Sequence, residues 1–152
     1  MVVEGSKAAD FLLEGSDGKK HMLEEFRGKY LILYFYPKDD TPGCTKEACS
    51  FNENIRKIRE LGAEIVGVSK DDLKSHEKFK SKYGLGFLLL SDPESKVIKE
   101  YGAFGDRGIF GKGTLRKTFV IDGKGMVAKV FEKVDPSKHS DEIIEFLESN
   151  KV

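Results

Sequence analysis

Thiols are scarce in this chain. Only two of its 152 residues are cysteine, Cys44 and Cys49, so a framework of several disulfides is excluded. An excess of charge of one sign is also missing. Basic and acidic side chains balance at 26 each, with no basic arm or acidic tail, so electrostatics gives no reason to expect nucleic acid or an anionic membrane as partner. No apolar run has the length of a membrane-spanning helix; the longest, Tyr30 to Tyr36, has the length of a strand. The opening MVVEGSKAAD lacks the basic-then-apolar pattern of a secretory signal, and the expected compartment is the cytoplasm. Thiols there are normally kept reduced, so a close cysteine pair points to catalysis or metal binding. The three histidines, His21, His76 and His139, are far apart in lysine- and glutamate-rich surroundings and read as surface residues. Two cysteines without a suitably spaced partner do not make a structural zinc site. The stretch GIFGKGT at 108–114 is not a phosphate loop, because Asp106 stands where its first glycine is needed and Gly113 replaces the Ser/Thr after Lys112. With no internal repeat or low-complexity linker, one domain over 1–152 is expected.

What is present is an orderly alternation. Phe11 to Leu13 and Lys20 to Met22 flank the turn-rich GSDG and read as a small hairpin. A short helical turn over His21 to Phe26 stops near Gly28. Tyr30 to Tyr36 is apolar without alternation, as in a central strand buried on both faces, and Pro37 ends it. Ala48, Phe51, Ile55, Ile58 and Leu61 recur at helical steps and predict one helix from about Cys44 to Leu61, stopped by Gly62. Ala63 to Ser69 is a second strand. Asp71 is placed to cap a helix to Tyr83, with Gly84 behind it. Phe87 to Ser91 is a third strand, and Asp92-Pro93 supplies cap and first-turn proline for a helix to about Tyr101. Gly102 to Gly113 reads as a glycine-rich loop. Leu115 to Ile121 and Met126 to Glu132 form a hairpin around DGKG, and Asp135-Pro136 opens a last helix to Ser149. Alternating strands and helices argue for parallel pairing, and the trailing hairpin makes the sheet mixed. A thioredoxin-like α/β fold fits this order: three layers, helices on both faces of a central mixed β-sheet, and an N-terminal β-hairpin extension.

Both cysteines lie in YPKDDTPGCTKEACSF, residues 36–51. Cys44 follows a strand-terminating loop and opens a helix. The partial positive charge and unpaired N–H groups of a helix N-terminus favour the thiolate, the reactive form. Gly43 lets a small molecule approach the backbone N–H groups, Thr41 is placed to turn its hydroxyl toward the sulfur, and Pro37 and Pro42 stiffen the loop. The ensemble suits a small, oxygen-rich substrate beside an activated sulfur. Residues five apart on a helix rise ~7.5 Å and rotate ~140°, placing their Cα atoms ~8.7 Å apart. A disulfide requires about 7 Å or less. A Cys44–Cys49 bond therefore needs the first turns to unwind.

PKDDTPGCTKEAC at 37–49 resembles the active-site signature of peroxiredoxins, and the second cysteine five positions on resembles the peroxiredoxin Q, or bacterioferritin comigratory protein, subgroup. LRKTFVIDGKG at 115–125 resembles the family's Arg-x-Thr/Ser-Phe strand, and GAFGDRGIFGKG at 102–113 the loop before it. The similarity runs over nearly the whole chain. It implies reduction of hydrogen peroxide and organic hydroperoxides. Cys44 would attack the peroxide and become a sulfenic acid, Thr41 would hydrogen-bond the peroxide, and Arg116 would hold the thiolate and the developing oxyanion. Pro37 would shield the pocket. Cys49 would resolve the sulfenate as an intramolecular disulfide, and thioredoxin or a similar dithiol protein would restore both thiols. No metal, haem, flavin or other cofactor is implied. The subgroup is often monomeric, with a dimer through the active-site edge as the other arrangement.

Glu47, one turn past Cys44, is within reach of Arg116 and either orients the guanidinium or is a solvated helix residue. Arg107 in the glycine-rich loop is the rival cation. Two other functions compete with a peroxidase. A thiol-disulfide oxidoreductase is disfavoured because Cys-x-x-Cys is absent. A redox-switched binding or holdase protein would expose a partner surface when the helix start unwinds.

Overall fold

Seven strands build one mixed sheet in the computed structural model, which describes residues 2–150. The chain enters through β1 (Leu12–Gly15) and β2 (Lys20–Met22), paired antiparallel with Leu12 opposite Met22. A 3-10 turn over Leu23–Phe26 then leads to β3 (Tyr30–Phe35). α1 (Pro42–Glu53) and α2 (Ile55–Glu60) return along one face to β4 (Ala63–Ser69). α3 (Leu73–Tyr83), β5 (Leu88–Ser91) and α4 (Lys96–Glu100) follow. A small separate hairpin, β6 (Phe104–Asp106) with β7 (Lys112–Thr114), precedes β8 (Lys117–Ile121), β9 (Val127–Phe131) and α5 (His139–Ser149). The order across the main sheet is β2-β1-β5-β4-β3-β8-β9. The β3, β4 and β5 strands pair parallel, while β8 runs antiparallel to β3. This is the thioredoxin-like mixed sheet, with the N-terminal hairpin sewn onto its β5 edge.

The pleat of β3 divides the core. Leu31, Leu33 and Phe35 face a layer with Val97, Ile98 and Tyr101 of the α4 region and with Phe119 and Ile121 of β8. Ile32, Tyr34 and Tyr36 face the opposite layer, with Ala48, Phe51, Ile58, Phe79, Ile143 and Leu147 from the other four helices. Side chains alternate across a strand, and β3 is covered on both sides. Its uniformly apolar sequence follows.

Several boundaries differ from the sequence expectation. The single helix to Leu61 is broken at Asn54, which leaves helical geometry at φ −105°, ψ 9°. Its side-chain amide donates to the Ser50 carbonyl and to Ser140 Oγ, competing for the backbone acceptors that would carry the helix on. Asp72, not Asp71, caps α3, accepting from the Ser75 N–H at 2.8 Å. Asp92 still serves α4, accepting from the N–H groups of Lys96 and Ile98, but the helix starts three residues beyond Pro93. The last helix likewise starts at His139, after a turn closed by Asp135. The glycine-rich loop carries the β6–β7 hairpin, with a 3-10 turn over Gly108–Phe110 at its tip. Gly84 and Gly62 sit at positive φ where they stop α3 and α2, as their positions suggested.

Candidate active site

The sheet register builds the site. β3 ends at its carboxyl edge with Phe35, opposite Lys117 of β8. One step further, Tyr36 runs into the 37–41 loop while Arg116 stands at the start of β8. In open α/β sheets, ligands gather outside the carboxyl ends of parallel strands. Thr41 is the N-cap of α1 and Pro42 occupies its first turn, which places Cys44 third in the helix. The first helical hydrogen bond runs from the Thr45 N–H to the Thr41 carbonyl, so the Gly43 and Cys44 N–H groups precede the ladder.

Arg116 reaches across to this helix start. Its Nη2 donates to Cys44 Sγ at 3.4 Å and its Nη1 to Glu47 Oε1 at 2.9 Å. Cys44 is 2% exposed and Glu47 1%. Glu47 is therefore no solvated helix residue; it holds the guanidinium nitrogen that the sulfur does not take. Burial pushes the Glu47 carboxyl up to about 7, against the downward pull of Arg116. Burial alone would lower Arg116, but the Cys44 and Glu47 charges raise it further, and it stays a cation. A Cβ on Gly43 would come within 3.1 Å of Arg116 Nη2, so glycine is also what admits the guanidinium. Glu47 Oε2, Tyr34 Oη and Thr45 Oγ1 are buried without partners, an unusual concentration beside one helix turn.

The other expected residues fall around this core. Pro37 is half-buried in the loop after β3. Thr41 turns its hydroxyl to the Lys38 carbonyl at 2.9 Å rather than to the sulfur, leaving its oxygen lone pairs open as acceptors. Cys49 is half-buried on the same helix, and both cysteines are free thiols. Burial, and then Glu53, raises the Cys49 thiol above its ordinary value. With both residues inside α1, the helical separation of ~8.7 Å applies. Arg107 stacks over Phe110 at 5.2 Å at the hairpin tip and makes no contact with this constellation.

The histidines were misread. His76 and His139 are fully buried. His139 Nε2 meets Thr118 Oγ1 at 2.7 Å, and its burial lowers its affinity for a proton, opposed by Glu142. His21 lies between Asp17 and Glu25, mostly shielded. The signal was available: His76, Phe79 and Tyr83 share a helical stripe, as do His139, Ile143 and Leu147. Lysine-rich neighbours on the outer faces hid it. Among the described residues, no group of three or more His, Cys, Asp or Glu side chains could hold a metal ion, and no helix is long and apolar enough to cross a membrane.

Comparison with known proteins converges on one family. The AhpC/TSA family model matches residues 5–130. The chain is 46% identical over 149 residues to a chloroplastic peroxiredoxin Q of Suaeda salsa, covering 97% of this chain and 69% of that protein. The peroxidoxin BcpB of Mycobacterium tuberculosis superposes with a TM-score of 0.89 at 32% identity, over the full length of both chains. The bacterioferritin comigratory protein of Xanthomonas campestris, solved in a study of its alkyl peroxide reduction activity, superposes with a TM-score of 0.88 at 33% identity, covering 93% and 92%.

Proposed function

This chain belongs to the AhpC/TSA family as a peroxiredoxin of the Q type, a thiol-dependent peroxidase, and we propose that Cys44 is its peroxidatic nucleophile and Cys49 its resolving thiol. The observation that carries this reading is the Arg116 fork, one nitrogen on Cys44 Sγ and the other on buried Glu47. Among the described residues, no other cysteine has a guanidinium against its sulfur at a helix N-terminus.

The thiolate of Cys44 attacks the terminal oxygen of a hydroperoxide. The S–O bond forms as the O–O bond breaks, leaving a sulfenic acid and an alkoxide or hydroxide that takes up a proton. Arg116 stabilises the sulfur charge before attack and the oxyanion as it develops. Thr41 accepts the peroxide O–H, and the Gly43 and Cys44 N–H groups face the same oxygens. Pro37 closes the loop side of the pocket. The first turns of α1 then unwind. The Cys49 sulfur attacks Cys44, a disulfide forms and water leaves. A thioredoxin-type dithiol reduces the disulfide by exchange. Hydrogen peroxide and organic hydroperoxides are the substrates, and no cofactor enters these steps. Both thiols lie on one helix of one chain, so a monomer suffices and the whole 1–152 chain acts as a single domain. The cytoplasm, where reducing dithiols keep the cycle turning, is the fitting compartment.

One equivalent of peroxide followed by mass spectrometry tests the assignment. A Cys44–Cys49 disulfide is expected in the wild type. Cys49→Ser should stop at a Cys44 sulfenic acid and fail to recycle on thioredoxin, and Cys44→Ser should not turn over. Full turnover by Cys44→Ser would refute the nucleophile, and normal recycling by Cys49→Ser would refute the resolving thiol.

A further inference from the structure

The segment that delivers Thr41 and Cys44 is moored to α3 by two consecutive acids. Asp40, at φ 58°, is held by Lys82 Nζ at 2.7 Å and by the Tyr83 hydroxyl, in solvent. Asp39 is buried. Its Oδ2 meets His76 Nδ1 at 2.7 Å and accepts from Ser75 Oγ at 2.8 Å, while its Oδ1 accepts from the Tyr36 hydroxyl at 2.6 Å. Its N–H donates to Asp71 Oδ2.

His76 is 0% exposed, and its other ring nitrogen, Nε2, meets the Leu90 carbonyl at 2.9 Å. A carbonyl only accepts, so Nε2 carries a proton. Tyr36 lies 3.5 Å from Nδ1 but spends its proton on Asp39 at the shorter distance. The Nδ1···Oδ2 bond therefore holds a second proton. With both bonds filled, the imidazole is a rigid strut from β5 through α3 to the loop two residues before the α1 cap. No step of the peroxide chemistry uses it.

We propose that His76 is a positioning residue for the peroxide reaction: through Asp39 it fixes the 37–41 loop, and so sets Thr41 and the first turn of α1 in register with Arg116. This rests on Cys44 being the peroxidatic thiol. The burial of the Asp39 mooring distinguishes it from the Asp40 one, since exposed pairs contribute little and buried hydrogen-bonded ones are costly to break. Peroxide must meet several groups at once, whereas an alkylating agent needs only the thiolate. A shifted loop therefore slows the first reaction selectively, and misplacement by about 1 Å is enough for a large rate loss.

The two amide replacements separate the bonds. H76N places its N–H₂ near Nδ1 and keeps the Asp39 bond. H76Q reaches toward the Leu90 carbonyl and gives up Asp39. The chain has no tryptophan to report oxidation, so reduced protein is mixed with hydrogen peroxide, quenched and read by mass spectrometry. In parallel, Cys44 is alkylated with iodoacetamide. H76Q is expected to oxidise at least about tenfold more slowly, with alkylation within about twofold of wild type, and H76N to keep most of the oxidation rate. Oxidation of H76Q at the wild-type rate, equal loss in both reactions, or equal loss in H76N and H76Q would each overturn the inference. If H76Q shows no cooperative melt, D39N carries the same comparison with the same outcomes. Cys44→Ser runs alongside: its oxidation at the wild-type rate would overturn the nucleophile assignment and the inference together, whereas an inert Cys44→Ser with an unimpaired H76Q overturns the inference alone.

Discussion

The first and third turns of α1 carry the same functional group in opposed surroundings. Cys44 sits at the N-terminal end, buried, with a guanidinium on its sulfur. Cys49 sits further along, half-buried, where burial and Glu53 hold its proton on. One helix thus supplies a thiol whose sulfur takes a guanidinium N–H and a thiol on which burial and Glu53 hold the proton. The division of labour follows from position, because the helix field and the reach of Arg116 both fade within a turn. A resolving thiol gains from staying protonated while the peroxide step runs at its neighbour, since the neutral form does not compete for the oxidant.

Removing the cation breaks this contrast most severely. Arg116→Ala should lower the rate of Cys44 oxidation by about 10²–10³-fold, the usual cost of losing an oxyanion donor, and leave Cys49 alkylation unchanged. Single-turnover oxidation by quench and mass spectrometry gives the number, and a loss under threefold would remove Arg116 from the chemistry.

Glu47 sharpens the contrast through pH. Its folded value of about 7 lies above the ordinary 4.5. The folded state therefore holds the proton more tightly than the unfolded chain. The stability linked to this group is fully present below pH 4.5 and is lost as pH rises toward 7, by on the order of 3 kcal/mol. Glu47→Gln should remove that loss, so urea unfolding at pH 8 should find the variant gaining on wild type relative to the same comparison at pH 4. Parallel stability curves would show that the carboxyl ionises as freely in the folded protein as outside it.

The smallest effect belongs to the Cys49 end. Glu53 lies one helical turn beyond, and a like-charge pair at that spacing is worth a few tenths of a kcal/mol. Glu53→Gln should raise the Cys49 alkylation rate roughly twofold near neutral pH, with peroxide oxidation of Cys44 unaffected. An unchanged alkylation rate would leave burial as the sole cause of the Cys49 shift.

Much of this was legible in the linear pattern. β3 was found because an unbroken apolar run of strand length fits only a position covered on both faces. The stops at Gly62 and Gly84 were found because glycine alone takes positive φ without strain. The Cys44–Cys49 distance followed from helix geometry and Arg116 from the motif around it, whereas the sequence left open whether Glu47 orients Arg116, and the Thr41 hydroxyl turns to Lys38 rather than to the sulfur. Asn54 was missed because its capacity to break a helix depends on Ser140, 86 residues away, accepting its amide. The cap moved from Asp71 to Asp72 for a similar reason: the Asp71 carboxylate is engaged by the Asp39 N–H and the Ser69 hydroxyl. His76 is buried despite its lysine-rich neighbours because it shares the Phe79 stripe of α3.

The sequence by itself determined the order of the strands of the main sheet along the chain, an interior strand covered on both faces and the incompatibility of a Cys44–Cys49 bond with an intact α1. These rest on periodicity, turn chemistry and helix geometry, which act within a dozen residues. Tertiary structure decided which charge meets which thiol. Arg116 reaches Cys44 across 72 residues only because β8 pairs antiparallel with β3 in the Phe35–Lys117 register. Asp39 finds His76 only because α3 packs behind the 37–41 loop. Such contacts depend on where distant segments are brought together, and burial then gives them their strength by excluding the water that would otherwise compete.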